Sequence, residues 1–276
     1  MSRDHDALRF AAHTPAALCT IVGIDGSFSR RIGAQLAVGL DGTLAGDMAD
    51  KCLDAELANQ SALAMAEGAA RTLRYGEGSP FVDFRLPCGS GLDVLVDPAP
   101  DRDLLTRALA DLDARREAAL PLASSLLAER RYSPPLRIIL LGAGAECAAL
   151  AQLASAQSIA IERHEADGDL SLGRAPANLA ADAWTAVLLL FHDHEWEHAL
   201  LDWALGTPAF YIGAQGGAPA REARLERLRA DGHGDETLER VRAPVGLIPS
   251  ARDPGVLALS ILAEVVGEYE ALHPHR

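Results

Sequence analysis

The sequence predicts an α/β protein in two parts: a mixed α+β N-terminal domain over residues 1–132 and a Rossmann-like parallel-sheet domain over residues 136–276. Three observations carry this reading. Tyr132-Ser133-Pro134-Pro135 breaks the chain, because consecutive prolines hold the backbone extended and stop a helix. After the break, short and wholly apolar runs alternate with helical stretches, as in a parallel sheet covered by helices on both faces. Before it, short strand-like runs are joined by glycine turns, as in hairpins.

In the first part, residues 17–23 and 34–38 read as strands, with Gly39-Leu40-Asp41-Gly42 as a hairpin turn. Apolar residues at Leu57, Ala58, Ala62 and Met65 place residues 54–73 on a helix. Residues 81–86 and 92–96 read as a hairpin-like pair around Cys88-Gly89-Ser90-Gly91, and residues 101–131 read as helical and charged. In the second part, residues 136–141 are too short for an average helix and too apolar for an edge strand, so they predict a buried parallel strand. Gly142-Ala143-Gly144 then leads to a helix over residues 148–155. Residues 158–162, 186–191 and 209–212 are further strands separated by helical stretches.

Composition bounds the function. Of the 276 residues, 49% are hydrophobic and 23% charged, which marks a globular chain with an ample core. A formal charge of -14 argues against sequence-independent binding to nucleic acid or anionic membranes, which needs clustered cations. No apolar run reaches the roughly 20 residues of a membrane span, and the N-terminus lacks the pattern of a signal peptide. The 4 cysteines, with no close pairing, read as reduced thiols in the cytoplasm.

The candidate site residues begin with two of those cysteines. Cys52 follows Lys51, the only lysine of the chain, and Cys88 opens a glycine loop. A free thiol is only about 3% ionised at neutral pH, and a neighbouring cation or a donor-rich loop raises that fraction. The plainer alternative for Cys52 is a chance adjacency to Lys51, and for Cys88 a small residue in a crowded loop. Gly26-Ser27-Phe28-Ser29-Arg30-Arg31-Ile32-Gly33 gathers hydroxyls, loop amides and two guanidiniums, a set suited to a phosphate or another planar anion, or else a solvated turn.

In the second part, Gly142-Ala143-Gly144 fits the first two glycines of a dinucleotide fingerprint, with Cys147 in the third place and Glu162 at the end of the next strand to meet a ribose. A tight turn that binds nothing is the alternative. His192-Asp193-His194 follows a buried strand and so lies at the ligand-binding edge of such a sheet, where Asp193 equally suits a helix cap. His198 shares a helix face with His194, yet no third metal ligand is set by spacing. Cys19 reads as core, and the arginine-rich stretch 220–229 as a solvated amphipathic helix.

Taken in order, these residues resemble the XdhC/CoxI family, the accessory proteins of xanthine dehydrogenase and related molybdenum hydroxylases. The resemblance rests on Gly26-Ser27, Arg30-Arg31, Gly33-Ala34, Asp41-Gly42, Cys52 with Asp54, and Cys88-Gly89 in the first half. In the second it rests on Gly142-Ala143-Gly144, His192-Asp193, Tyr211-Ile212-Gly213-Ala214, Ala243-Pro244-Val245-Gly246-Leu247 and Ser260-Ile261-Leu262-Ala263-Glu264. Each is weak alone, and the ordered set is specific. The chain departs from the family where Asp50-Lys51 replaces two glycines before Cys52, where Asp54 replaces a glutamate, and where Ile32 replaces a proline.

The resemblance implies a cytoplasmic protein that binds molybdenum cofactor (molybdopterin), protects it while a cysteine desulfurase supplies sulfur, and delivers it to a xanthine dehydrogenase-type molybdenum hydroxylase. Such a protein is a carrier rather than a catalyst, with monomer and homodimer both left open. In that reading Cys52 and Cys88 face the molybdenum or carry sulfur, since both are soft partners for thiolate. Ser27, Arg30 and Arg31 hold anionic groups, Gly142, Gly144 and Glu162 hold the phosphate or a nucleotide extension, and His192 contacts the ligand. An NAD(P)-dependent oxidoreductase is the alternative that the Rossmann-like half permits, and a non-catalytic docking protein is a third reading.

Overall fold

The computed structural model describes residues 5–48, 51, 53–79, 89–166, 168 and 170–275, which divide into two compact units. One is Pro135–Leu272. The other is the chain before it, rejoined by the residues from His273.

The first unit runs α1 (Asp6–His13), β1 (Ala16–Asp25), β2 (Gln35–Gly39), β3 (Leu44–Gly46), α2 (Asp54–Glu67), β4 (Arg71–Gly76), β5 (Gly91–Asp97), α3 (Arg102–Asp113), β6 (Ala118–Pro121) and β7 (Glu129–Tyr132). Its main sheet has the order β3-β2-β1-β5-β4 with every neighbouring pair antiparallel. Helix α2 packs Leu57 and Ala64 on one face, against Cys19, Ile21, Leu36, Val94 and Val96. Helices α1 and α3 bring Leu8, Ala11, Leu105 and Leu109 to the other, against Leu18 and Ala37. With both faces covered, β1 is buried from Ala16 to Val22, so its sequence is apolar there except for Thr20 rather than alternating.

Thr20, Gln35 and Tyr132, polar groups that this burial traps, pair with one another. Gln35 Nε2 donates to Thr20 Oγ1 at 3.0 Å, and Tyr132 OH donates to Gln35 Oε1 at 2.6 Å. The chain end is tied to this unit by the Arg131 N–H, which donates to His275 Nε2 at 2.8 Å.

Three sequence expectations change here. The helix predicted over residues 54–73 stops at Glu67, because Gly68 takes the left-handed conformation (φ 67°) that closes a helix, and residues 71–76 pair with β5 instead. The helical reading of residues 101–131 holds only for α3. Beyond Arg115, itself at φ 61°, burial alternates residue by residue through Ala118 and Leu120 and again through Arg130 and Tyr132, a period that fits the β6-β7 hairpin. The stretch 81–86 expected to pair with β5 lies outside the described residues, and the described partners of β5 are β1 and β4.

The second unit runs β8 (Arg137–Gly142), α4 (Ala145–Ala156), β9 (Ala160–His164), β10 (Thr185–Leu190), a 3-10 turn (His194–Trp196), α5 (Glu197–Leu205), β11 (Tyr211–Ala214), α6 (Ala218–Ala230), α7 (Asp235–Leu238), β12 (Val241–Arg242) and α8 (Pro254–Ala271). The strands form a parallel sheet in the order β12-β11-β10-β8-β9. Side chains of α4 and α8 cover one face through Leu150, Ala154, Ile261 and Val265. On the other, α5, α6 and α7 contribute Leu200, Leu201, Leu225, Leu228 and Leu238. The Rossmann-like α/β expectation for this half is met. One link differs: between β9 and β10 the described residues hold no helix.

From β8 the chain steps outward to β9 and then crosses back to β10 on the other side. The β8/β10 boundary is therefore the topological switch point, and in open parallel sheets ligands bind at the carboxyl edge of that crevice. Among the described residues no helix is long and apolar enough to cross a membrane.

Candidate functional site

In the first unit the described sequence-predicted residues, Ser27, Arg30 and Arg31, lie on the loop between β1 and β2. Strand β1 hands over to Gly26, whose φ of 83° lies in the region that glycine enters without penalty. A Cβ built on Gly26 would stand 3.5 Å from Ser90 Cβ, so the Gly26-Ser27 turn lies against the loop that Cys88-Gly89 enters. Arg74 holds this corner. It hydrogen-bonds Asp25, donates from Nη1 to Asp93 Oδ2 at 2.8 Å and from Nε to the Glu77 carbonyl at 2.8 Å, and thereby ties β1, β4 and β5 together. The Asp25 hydrogen bond, above all, raises the guanidinium pKa further. Sequence reasoning passed over Arg74 because nothing local distinguishes it; its partners lie 49 and 19 residues away.

Arg30 donates to Asp47 Oδ2 at 2.6 Å, which brings the arginine loop to the segment leading to Cys52. That segment is anchored on both sides by buried Met48 and Leu53. Burial raises the pKa of the Asp54 carboxyl, the charge of Asp47 adds to the rise, and Lys51 opposes it. Lys51 has φ 68°, a left-handed backbone that a side chain disfavours, at a position where the resemblance expects glycine. Ser27 is exposed and Arg31 half-buried on the same loop. Cys52 and Cys88 themselves lie outside the described residues.

The remaining cysteines are core. Cys19 is fully buried with its thiol pKa pushed up to about 11 by burial, the Ser61 hydroxyl at 3.4 Å opposing the rise. Cys147 sits in α4, pushed up to about 12 by burial and then by the Glu146 charge.

In the second unit Gly142, Gly144 and His192 do meet at the switch point. A Cβ on Gly142 (φ 138°) would lie 2.2 Å from the Leu190 carbonyl oxygen, so this glycine is required for β8 and β10 to close together. A Cβ on Gly144 (φ 126°) would lie 3.2 Å from both carboxylate oxygens of Glu146. That buried carboxylate, on the first turn of α4, therefore sits over the glycine loop. His192 Nε2 stands 2.9 Å from Glu146 Oε1, an ion-pair distance without the alignment of a hydrogen bond. A phosphate placed on this loop would meet a negative charge, which argues against the phosphate role expected for it.

Glu162 is corrected. Strand β9 continues to His164, so Glu162 lies within the strand opposite Ile139, 3.1 Å from His164 Nε2, rather than at the carboxyl end. Asp193 does cap: its carboxylate accepts from the Glu195 N–H at 3.0 Å and starts the 3-10 turn.

Residues 220–229 do form an amphipathic helix with Leu225 and Leu228 inward, and only Arg224 departs from the solvated reading. Arg224 is buried on α6 and donates from Nε and Nη2 to Glu197 Oε2 at 3.0 and 2.6 Å, with Nη2 also reaching the Gln215 carbonyl at 2.8 Å. Its spacing of four residues from Leu228 puts it on the apolar face, a signal present in the sequence. Glu197, equally buried, stands 3.2 Å from His194 Nδ1. His194 and His198 line one cavity with these residues, and among the described residues no cluster of three metal-ligating side chains occurs.

Both halves match one family. A profile described as the XdhC and CoxI family covers residues 10–76, and one described as the XdhC Rossmann domain covers residues 138–265. The chain is 35% identical to the molybdenum cofactor insertion chaperone PaoD of Escherichia coli (strain K12), over 96% of this chain and 89% of that protein.

The chain belongs to the XdhC and CoxI family.

A Bacillus halodurans protein whose crystal structure is described as that of a xanthine dehydrogenase shares the fold, with a TM-score of 0.73 over 97% of this chain and 96% of that one at 22% identity. Conserving a fold at that identity tells little about ligands. The kinship to PaoD spans 96% of this XdhC and CoxI family member, and so extends through both units.

Proposed function

We propose that this protein binds molybdenum cofactor as cargo and inserts it into a molybdenum hydroxylase of the xanthine dehydrogenase type. The observation that carries the reading is the 35% identity to a molybdenum cofactor insertion chaperone across both units. The chemistry of the first unit supports it. The loop bearing Ser27, Arg30 and Arg31 reaches Asp47 through Arg30 and Ser90 through Gly26, and in this reading its anion donors work with the thiols of Cys52 and Cys88, which follow Asp47 and precede Ser90 in the sequence. In this reading Cys52 is the principal thiol facing molybdenum, with Cys88 beside it, and a cysteine desulfurase supplies the terminal sulfur while the cargo is held. The protein acts in the cytoplasm as a carrier.

At the second unit's switch point Gly142, Gly144 and His192 present a carboxylate–imidazole pair through Glu146. Such a pair suits the N–H donors of a pterin ring better than a phosphate. The same arrangement weakens the case for a nicotinamide dinucleotide, whose pyrophosphate would occupy the loop that Glu146 covers.

The test is co-expression with a molybdenum cofactor pathway, followed by elemental analysis and release of the pterin from the purified protein. Wild type should carry molybdenum and pterin in equal amounts, and Cys52→Ser should keep the fold while losing most of both. Equal retention by Cys52→Ser removes that thiol from the site. A wild-type protein that carries neither molybdenum nor pterin and turns over a nicotinamide substrate defeats the carrier reading.

A further inference from the structure

The second unit contains a cavity of about 160 Å³ lined by His194, Glu197, His198, Ala220, Ala223, Arg224 and Arg227. It belongs to the carboxyl edge of the sheet, where the chain leaves β10 and β11, one strand over from the Gly142–His192 corner. Its chemistry is dominated by donors. Arg224 has only 5% of its side chain exposed, and while Nε and Nη2 are spent on Glu197 and Gln215, Nη1 is buried with no protein acceptor. A buried guanidinium nitrogen without a partner is rare in folded proteins, where an ion or water usually meets such a group. Arg227, one turn further along α6, is a second cation on the same wall, and two imidazoles complete it.

The acids nearby face cations or imidazoles. Glu197 Oε2 accepts from Arg224, Glu197 Oε1 is buried 3.2 Å from His194 Nδ1 without a hydrogen-bond donor among the described residues, and His198 Nε2 lies 2.8 Å from Asp231 Oδ2. Ala220 and Ala223 are too small to fill the space. At Gly216 (φ 121°) a Cβ would come within 3.2 Å of His194 Cε1 and 3.6 Å of Arg224 Nη2, so a larger residue there would intrude on the donors.

We infer that this cavity is a binding site for a phosphate-type oxoanion, with Arg224 Nη1 and Arg227 as its principal donors. A compact tetrahedral anion offers acceptor lone pairs in several directions, which donors spread over the α5 and α6 walls can use together, whereas a planar carboxylate satisfies only one fork. The anion comes either free or as the phosphate group of a larger ligand. The inference does not depend on the cargo reading, because its test contains no molybdenum and no pterin.

The full-length protein is titrated at constant ionic strength with inorganic phosphate, with phenyl phosphate and with acetate, followed by calorimetry and by ³¹P line broadening. Saturable one-to-one binding of phosphate is expected, with acetate weaker by about tenfold or more. Phenyl phosphate binding as well as phosphate, or better, identifies the site as one for a phosphate group on a larger molecule; phosphate alone binding identifies a free-ion site. Arg224 cannot be removed without stranding Glu197, so the variants are Arg227→Gln, which deletes one exposed cation, and Ala223→Leu, which fills the cavity and leaves every charge in place. Each should weaken phosphate by about tenfold while circular dichroism and Tm stay at the wild-type values. No saturable binding, acetate binding as tightly as phosphate, or both variants binding like wild type would overturn the assignment.

Discussion

Replacing Arg224 with methionine should be among the most destabilising changes available in the second unit. The side chains of Arg224 and Glu197 are only 5% and 3% exposed, so solvent does not screen the pair, and Glu197 Oε2 receives both of its donors from this one guanidinium. Arg224→Met leaves a carboxylate buried without them and also strips the Gln215 carbonyl. Breaking a buried pair from one side costs about 3–5 kcal/mol. A unit of this size has about 5–15 kcal/mol in total. With a urea dependence of about 2 kcal/mol/M, the midpoint should fall by roughly 2 M.

Removing both charges in Glu197→Leu/Arg224→Met should return most of the loss, because apolar side chains of similar volume avoid the desolvation of two ions. The assay is internal to the protein. All 3 tryptophans, Trp184, Trp196 and Trp203, lie in Pro135–Leu272, so their fluorescence follows this unit alone. An Arg224→Met midpoint equivalent to less than about 1 kcal/mol of loss, or a double variant as unstable as the worse single one, would refute the stranded-charge argument.

Gly142→Ala should cost more than about 2 kcal/mol by the same fluorescence, since its Cβ would press on the Leu190 backbone in a left-handed conformation. Lys51→Gly should leave stability unchanged or raise it by about 1 kcal/mol by relieving the φ of 68°, read from hydrogen exchange across β2 and β3. Cys19 and Cys147, with pKa values pushed up to about 11 and about 12, should resist alkylation at pH 8 in the native state, which peptide mass spectrometry would show. The same shifts fix a pH dependence. Both folded thiols hold their protons above the ordinary value of 9.0 while the unfolded thiols lose theirs, so stability should be full below pH 9 and fall above it, by up to about 1.4 kcal/mol per pH unit for each thiol. Urea midpoints at pH 8 and pH 10 would check this.

The parallel sheet was legible because burial on both faces forces continuous apolar runs, and residues 136–141 and 186–191 could be little else. The β6-β7 hairpin was not legible, because the buried residues of its second strand are Arg130 and Tyr132. Arg130 looks solvated in sequence, yet it lies under 2% exposed with its guanidinium 4.4 Å from the Tyr132 ring centroid. A cation that a ring holds inside the core inverts the polarity on which pattern reading depends. Arg224 was misread for the same reason. Gly142 and Gly144 were correctly singled out as special, but sequence cannot say whether a glycine admits a ligand or another strand. For Gly142 the Leu190 carbonyl gives the answer.

Glu146 changes how the edge of that sheet should be understood. The N-terminus of α4 points its free N–H groups and positive dipole end at the switch point, the usual reason for expecting a phosphate there. Here the protein supplies its own carboxylate on the first helical turn, packed over Gly144 and facing His192. An anion arriving at that loop must displace Glu146 or accept its repulsion, whereas the neighbouring cavity sets Arg224 and Arg227 against one buried carboxylate, Glu197, whose Oε2 already accepts from Arg224. If both readings hold, the two sites divide the labour that one glycine loop performs in a dinucleotide enzyme: one corner carries an acceptor, the other carries donors. A ligand that spans both needs an N–H face at one end and an oxoanion at the other. Glu146→Gln tests this division. It should leave phosphate binding at the Arg224 cavity within about twofold, and it should open the Gly142–Gly144 loop to a second, weaker phosphate site that the wild-type protein lacks. If the second site does not appear, it is the shape of the loop, rather than the charge of Glu146, that keeps anions away.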